Sequence, residues 1–356
     1  NGAGVPVWRC PLCVPRRPSD LKRVLHLGSF AASSAPAMWA QVRWRPDLVL
    51  AIAPTLLSAP ATLLTARLSG ARTWLHIQDL EVDAAFDLGM LRGGKARAAA
   101  QAAERWLLGR FDRVSTISEA MRERLLAKGV PGDRALLFPN WADIDAIMPL
   151  AQPSTFREQL GLAPGTCVAL YAGNLGAKQG LELLIDAARR LRRVPKLAFV
   201  IAGTGAARES LEAMGSELSN LYWLPLQPTE RLNDLLNLAD IHLLPQRADA
   251  ADLVMPSKLT GMLASGRPVI ATAQPHTQLG RVVGVCGVAV PPCDGAALAD
   301  AIARLAGDAE QRRVLGAAAR GYAEQHLARG VVMSDFVQAA RTLCEPPAEV
   351  AAKEPA

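Results

Sequence analysis

Aromatic residues make up only 5% of this 356-residue chain, and no basic segment interleaves them at regular spacing. A stacking platform for nucleic acid is therefore not expected. Cysteine is as sparse: there are six, and Cys10 and Cys13 form the only close pair, which excludes a secreted disulfide framework. Cys10-Pro11-Leu12-Cys13 has the spacing of half a zinc site, but Cys286 and Cys293 stand apart and no histidine clusters with them. The five histidines are dispersed, so neither a Ser/His/Asp nor a Cys/His nucleophile arrangement emerges. No metal is expected, and a reducing cytoplasm is the default setting. Asn1-Gly2-Ala3-Gly4 offers neither the charged nor the apolar segment of a secretory signal, and it lacks an initiator methionine, as a fragment would.

Long apolar runs are nearly absent. The 19 residues from Leu48 to Ala66 carry no charge, but Pro54 and Pro60 interrupt them, so they read as strand, loop and helix rather than a membrane span.

What is present is apolar bulk: 50% hydrophobic against 20% charged residues, enough for a sizeable core over two or three domains. The formal charge of +6 lies wholly in residues 1–150, with 19 Lys and Arg against 13 Asp and Glu; the remainder balances at 20 and 20. Such a surplus favours an acidic partner such as lipid phosphate or a phosphorylated substrate, or reflects an Arg- and Ala-rich codon bias.

Short apolar strands alternate with helical periodicity along most of the chain. Leu48–Ile52, Thr73–Gln78, Arg113–Ile117 and Ala135–Phe138 are read as strands of a first α/β half. After a polar stretch, Val168–Tyr171, Leu197–Ala202, Tyr222–Leu224, Ile241–Leu244, Pro268–Ala271 and Val288–Val290 are read as strands of a second. From Ala296 to Leu343 the pattern is helical, with Gly307, Gly321 and Gly330 as expected breaks. Two parallel sheets in series imply two Rossmann-like domains with a cleft between them, with ligands at the carboxyl ends of the strands.

Three stretches could carry chemistry at such strand ends. Gly173-Asn174-Leu175-Gly176-Ala177-Lys178-Gln179-Gly180 joins a strand to a helix; its glycines would let backbone approach a phosphate, with Lys178 adding charge. It is not a Walker loop, because no Gly-Lys-Ser/Thr closes it. Gly203-Thr204-Gly205 repeats the arrangement, yet the third glycine of a dinucleotide fingerprint would fall at Arg208. Met255-Pro256-Ser257-Lys258 opens a helix, with Pro256 suited to the first helical position and Lys258 near a pyrophosphate. Each is equally compatible with an ordinary turn or capped helix. In the first half, His76-Ile77-Gln78-Asp79-Leu80-Glu81-Val82-Asp83 ends a strand with polar side chains that could meet a sugar or act as a base, or simply start a helix. Asp143-Ile144-Asp145 reads as a cation pair or a helix cap.

The serial α/β halves, both glycine stretches, and Pro256-Ser257-Lys258 through Gly266-Arg267-Pro268-Val269-Ile270-Ala271 resemble family-four glycosyltransferases of the GT-B fold. His76-Ile77-Gln78-Asp79, Ser115-Thr116-Ile117-Ser118 and Phe138-Pro139-Asn140-Trp141 are similar to its colanic acid biosynthesis branch, and the likeness runs from about Val7 to His326. The resemblance implies a retaining, metal-independent transferase that moves a sugar from a nucleotide-sugar, with GDP-fucose the family-derived donor, to a lipid-linked saccharide at an anionic membrane surface. Residues 1–140 would form the acceptor-side domain and 141–330 the donor domain; 331–344 would be a helix crossing back, and 345–356 a loose tail. Donor binding falls to Gly173, Asn174, Lys178, Gly203, Gly205, Pro256, Ser257 and Lys258. His76 and Lys258 take catalytic roles, and Asp79 and Glu81 the acceptor and sugar side.

Three departures accompany the resemblance. Relatives carry two glutamates eight positions apart where Leu253 and Gly261 stand, with Asp249 and Asp252 as nearby substitutes. Arg and Lys are common where Asn174 and Gln179 stand. Relatives also begin with a strand and glycine-rich loop, some 60 residues in all, whose lack would expose a sheet edge and leave the chain inactive. A nucleotide-sugar epimerase on the same architecture and a non-catalytic binding or scaffold protein are the alternatives.

Overall fold

A computed structural model of the chain describes residues 4–14, 20–54, 56–80, 82, 94–176, 179–247 and 256–345. It divides into two compact units, Asn1–Pro139 with Ser334–Ala356, and Asn140–Met333.

The first unit holds four parallel strands whose spatial order is their sequence order: β1 (Leu48–Ala53), β2 (Arg72–Ile77), β3 (Arg113–Thr116) and β4 (Ala135–Leu137). Parallel pairing needs a long crossover, and helices Ala59–Ser69, Gly94–Leu108 and Glu119–Ala127 lie between successive strands. The Leu48–Ala66 run thus folds as the strand, short 3-10 turn and helix that its two prolines imply. Among the described residues no helix is long and apolar enough to cross a membrane. Strand β1 lies at the sheet edge with Leu50 and Ile52 exposed, whereas β2 is buried from Thr73 onward.

The second unit holds six parallel strands, β5 (Cys167–Ala172), β6 (Leu197–Ala202), β7 (Leu221–Leu224), β8 (Ile241–Leu244), β9 (Val269–Thr272) and β10 (Gly287–Val290), in the order β10-β9-β8-β5-β6-β7. The chain builds outward from β5 to β7, then returns to place β8 on the other side of β5. Strand order therefore reverses between β5 and β8, and the crevice beyond their carboxyl ends is where such sheets hold ligands. Strands covered on both faces need unbroken apolar runs, which explains why Val168–Tyr171 and Leu197–Ala202 lack the alternation of a half-exposed strand. Ala169, Tyr171, Phe199 and Ile201 pack toward the helices Glu182–Arg190 and Gly295–Gly307. Val168, Leu170 and Val200 pack the opposite way, against Phe156, Leu235 and Leu238.

Of the three expected glycine breaks near the end, only Gly307 terminates a helix; Gly321 and Gly330 lie inside helices Ala309–Tyr322 and Arg329–Cys344. The interruption instead falls at Ala323–Ala328, where the backbone is drawn aside to meet Ala142: Ala142 N donates to Leu327 O at 2.7 Å and Arg329 N to Ala142 O at 3.2 Å. A tertiary contact sets that break, so local composition did not reveal it. Further along the last helix, Phe336 stacks on Phe138 (centroids 4.7 Å) and meets Trp74 (4.9 Å), within the first unit.

One partly buried cation organises the approach to the second unit's helix Lys258–Ala264. Arg320 donates to Ala264 O and Ile147 O at 2.8 Å each and to Ile144 O at 3.1 Å, so it satisfies a helix-end carbonyl and two linker carbonyls at once. Replacing it with the similarly shaped but neutral Met strands those acceptors. Arg320→Met is expected to cost about 2–4 kcal/mol of unfolding free energy in urea titration. Its partner Glu324 is half exposed, so Glu324→Gln should cost well under about 1 kcal/mol.

Candidate active site

The carboxyl ends of β5 and β6 continue their hydrogen-bond ladder past the strands and into the two glycine stretches. Gly173 N donates to Ala202 O at 2.8 Å, and Leu175 N to Thr204 O at 2.9 Å. This extension presses the loops together. A Cβ on Gly203 would overlap the Gly173 carbonyl, and one on Gly205 would overlap that of Leu175. Both glycines also hold φ values, +144° and +158°, that L side chains rarely adopt. Gly203 and Gly205, expected to make room for a donor phosphate, instead make room for the first loop's backbone. Arg208, standing where a dinucleotide fingerprint would need glycine, clamps this second loop by donating to Gly203 O at 2.6 Å and Leu224 O at 3.2 Å.

Gly173 serves the site more directly. Its φ is +151°, and a Cβ there would collide with the end of the Lys258 side chain. Lys258 is the first residue of helix Lys258–Ala264, and it threads through the space that glycine leaves. Its Nζ donates to Tyr171 Oη at 2.5 Å, and Tyr171 Oη donates in turn to Asn174 O at 2.7 Å. Among the described residues no carboxylate pairs with Lys258. Burial alone pulls its pKa down to about 8, so the ammonium is the major form at neutral pH. Burial pushes the Tyr171 phenol up, keeping it a neutral hydroxyl across the working range.

The other donor-side residues are placed as follows. Asn174 is exposed and uses its backbone carbonyl. Pro256 lies two residues ahead of the helix, not at its first position, and Ser257 is exposed at the N-cap without a side-chain cap bond. Gln179 Oε1 is buried with no partner among the described residues, in room left by Gly176. Gly261 packs near Leu236 and Ile147, with 3.3 Å from a notional Cβ to Leu236 Cδ1, so no long side chain fits there without rearrangement. Lys178, Glu81, Asp249, Asp252 and Leu253 lie outside the described residues.

In the first unit, His76 is the penultimate residue of β2 and is 2% exposed. Its Nδ1 lies 2.9 Å from Ser115 Oγ, its Nε2 2.7 Å from the Gln78 amide nitrogen, and its ring meets Phe138 edge-on at 4.9 Å. With the proton on Nδ1, Nε2 can accept from Gln78, so both nitrogens are occupied. Burial holds the pKa near 4. The expected catalytic histidine is thus a neutral packed ring, not an imidazolium, at neutral pH. Ser115 also accepts from Trp74 Nε1 at 2.8 Å, tying β2 to β3. Asp79, half buried, lines a small recess with Ala53, Leu56, Ile77 and Glu104. Asp143 caps a local turn through Ala146 N at 3.0 Å, and among the described residues no three metal-ligating side chains gather.

Residues 1–141 match the model of a glycosyl transferase 4-like domain, and residues 166–308 that of glycosyl transferases group 1. A protein of Escherichia coli K12 named as colanic acid biosynthesis glycosyl transferase WcaI is 43% identical over 93% of this chain and 83% of its own length. The chain belongs to the family-four glycosyltransferases. D-inositol 3-phosphate glycosyltransferase of Nocardia farcinica is 29% identical over 65% of this chain and 54% of its own. The GT-B fold is shared with sucrose-phosphate synthase of Thermosynechococcus elongatus, with TM-score 0.72, 20% identity and coverage of 93% and 80%. Anabaena HepE, solved with UDP and glucose, has TM-score 0.69 and 18% identity, with coverage of 89% and 83%.

Lys258 and Gly173, candidates from the sequence of this glycosyltransferase, meet in the structure; their contacts with Tyr171, and those of Arg208 and Arg320, were not expected from the sequence. A tyrosine inside an apolar strand, and an arginine one turn past a glycine pair, were the signals available.

His76 makes stability acid-sensitive. Its folded pKa lies below the unfolded value, so its contribution is complete above about pH 6.5 and is lost as pH falls toward 4, by up to about 3 kcal/mol. Buried His242, held near 3, adds a loss of the same sign. Urea titrations from pH 7 to 4.5 should show this decline, and His76→Gln should make it shallower by one proton's worth.

Proposed function

We propose that this glycosyltransferase transfers a sugar, with retention, from a nucleoside-diphosphate donor held by the second unit to a lipid-linked saccharide in exopolysaccharide assembly. The observation that carries the donor side is the Lys258 ammonium, held at the β5 strand end by a neutral phenol. Its charge is uncompensated by any carboxylate among the described residues. The relative named for colanic acid biosynthesis supports the pathway class, and fucose is the sugar that this likeness suggests.

In the reaction, the bond from the anomeric carbon to the diphosphate breaks through an oxocarbenium-like state, and negative charge grows on the departing phosphate. A pre-placed ammonium favours that charge more than the bound ground state. The acceptor oxygen joins the anomeric carbon on the face that the phosphate leaves. The acceptor proton passes to the departing phosphate oxygen, since His76, a neutral ring with both nitrogens engaged, is a poor base. The site so described calls for no metal, and Gly173, Asn174, Pro256 and Ser257 are the neighbours of the diphosphate, with Lys178 as a second charge.

The acceptor side is read onto the first unit's basic surplus, with Asp79 and Glu81 on the sugar side. Trp44, 75% exposed, stands between the exposed Arg43 and Arg45 just after helix Asp20–Ala40. An indole flanked by guanidinium groups suits the interface of an anionic membrane, which fits a peripheral enzyme on the cytoplasmic face. Each such charge contributes about 1 kcal/mol near an anionic surface.

Two experiments test the reading. With UDP-, GDP- and dTDP-sugars offered together with a lipid-linked acceptor, Lys258→Ala should lower turnover by roughly 100- to 1,000-fold. The wild-type rate should fall as pH rises through about 8 and the ammonium is lost. A loss under threefold removes Lys258 from the chemistry, and turnover of donor without acceptor favours an epimerase. In vesicle co-sedimentation, anionic lipid should retain more protein than neutral lipid. Changing Arg43 and Arg45 to Gln should narrow that gap, and equal binding to both lipids rejects the membrane surface.

A further inference from the structure

We infer that Tyr171 is a positioning residue of the donor site: its hydroxyl links the Lys258 ammonium to the Gly173–Gly176 loop and sets the point in space from which Lys258 meets a diphosphate. This deepens the donor-site reading above and rests on it.

The geometry begins with valence. A phenol has one proton and two lone pairs. Tyr171 spends the proton on Asn174 O at 2.7 Å, which leaves its lone pairs for Lys258 Nζ at 2.5 Å. One atom therefore joins the loop after β5 to the helix that begins at Lys258, linking Asn174 to a residue 84 positions further along the chain. The ring cannot drift, because it is fully buried in the core formed by β5, β6 and helix Glu182–Arg190. The lysine cannot drift toward Gly173 either, since its own stem fills the space where a Cβ would be.

The partner's chemistry also matters. A carboxylate at that position would hold Lys258 more strongly but cancel its charge. A phenol orients the ammonium, leaves two of its three N–H groups unspent, and leaves the positive charge available to an anion. A tyrosine serving only to fill the core would have no need of an oxygen aimed at the Lys258 ammonium.

Tyr171→Phe keeps the ring and its packing and deletes only the hydroxyl. The test measures affinity of the full chain for UDP, GDP and inorganic pyrophosphate by calorimetry, in wild type, Tyr171→Phe, Lys258→Met and the double variant. Positioning predicts that Tyr171→Phe weakens the diphosphates by about tenfold while the protein remains folded. It also predicts that the same change has no effect when Lys258 is already Met, because there is then no ammonium to place. The pH above which affinity falls should move lower in Tyr171→Phe, since an acceptor that favours the charged amine has been lost.

Equal weakening in both backgrounds, or none in either, overturns the inference. Affinity unchanged by Lys258→Met alone overturns the donor-site reading itself. Affinity lost through Lys258→Met but untouched by Tyr171→Phe overturns only the role of Tyr171. Should Tyr171→Phe unfold, the alkaline limb of the wild type still decides: a limb set by Lys258 must vanish in Lys258→Met, and its persistence counts against the proposal.

Discussion

A half-buried ammonium, paired with no carboxylate among the described residues, is the constraint around which the second unit's strand ends are arranged. Taking a charge out of water is costly unless other groups replace the lost solvent. Here a phenol oxygen does so only in part, and the depressed pKa of Lys258 records the remainder. Charge, burial and position are inseparable in this arrangement: more solvent would relax the pKa but loosen the geometry, and a carboxylate would do the same to the charge.

The glycines there are small for two separate reasons. Gly203 and Gly205 are small because the two strand-end loops continue each other's hydrogen-bond ladder, bringing backbone against backbone. Gly173 is small because the lysine stem must pass. Glycine in a strand-to-helix loop is commonly associated with ligand approach, yet two of these three are required by the protein's own packing. Arg208 reinforces the same joint from the side by donating to the Gly203 carbonyl.

The two units solve opposite problems with their strand-end polar residues. In the second, the Lys258 ammonium is only part-buried and stays charged at neutral pH. In the first, His76 is enclosed by Ser115, Gln78 and Phe138 and kept neutral. A histidine in a strand and a lysine at a helix start thus have different chemistry, because desolvation suppresses the charged form of each while only the lysine begins from a pKa high enough to stay protonated.

Much of the architecture was legible in the chain as written. Ten short apolar segments separated by helical periodicity identify two parallel sheets, and the unbroken hydrophobicity of β5 and β6 identifies strands covered on both faces; these are properties of residue order, which a linear pattern records. Lys258 and Gly173 were likewise visible as members of strand-end motifs. The meeting of Tyr171 with Lys258, the enclosure of His76, the interruption at Ala323–Ala328 and the threefold grip of Arg320 were not. Each depends on groups far apart in sequence converging in a low-dielectric interior, where the value of a hydroxyl, a ring nitrogen or a guanidinium is set by its neighbours in space.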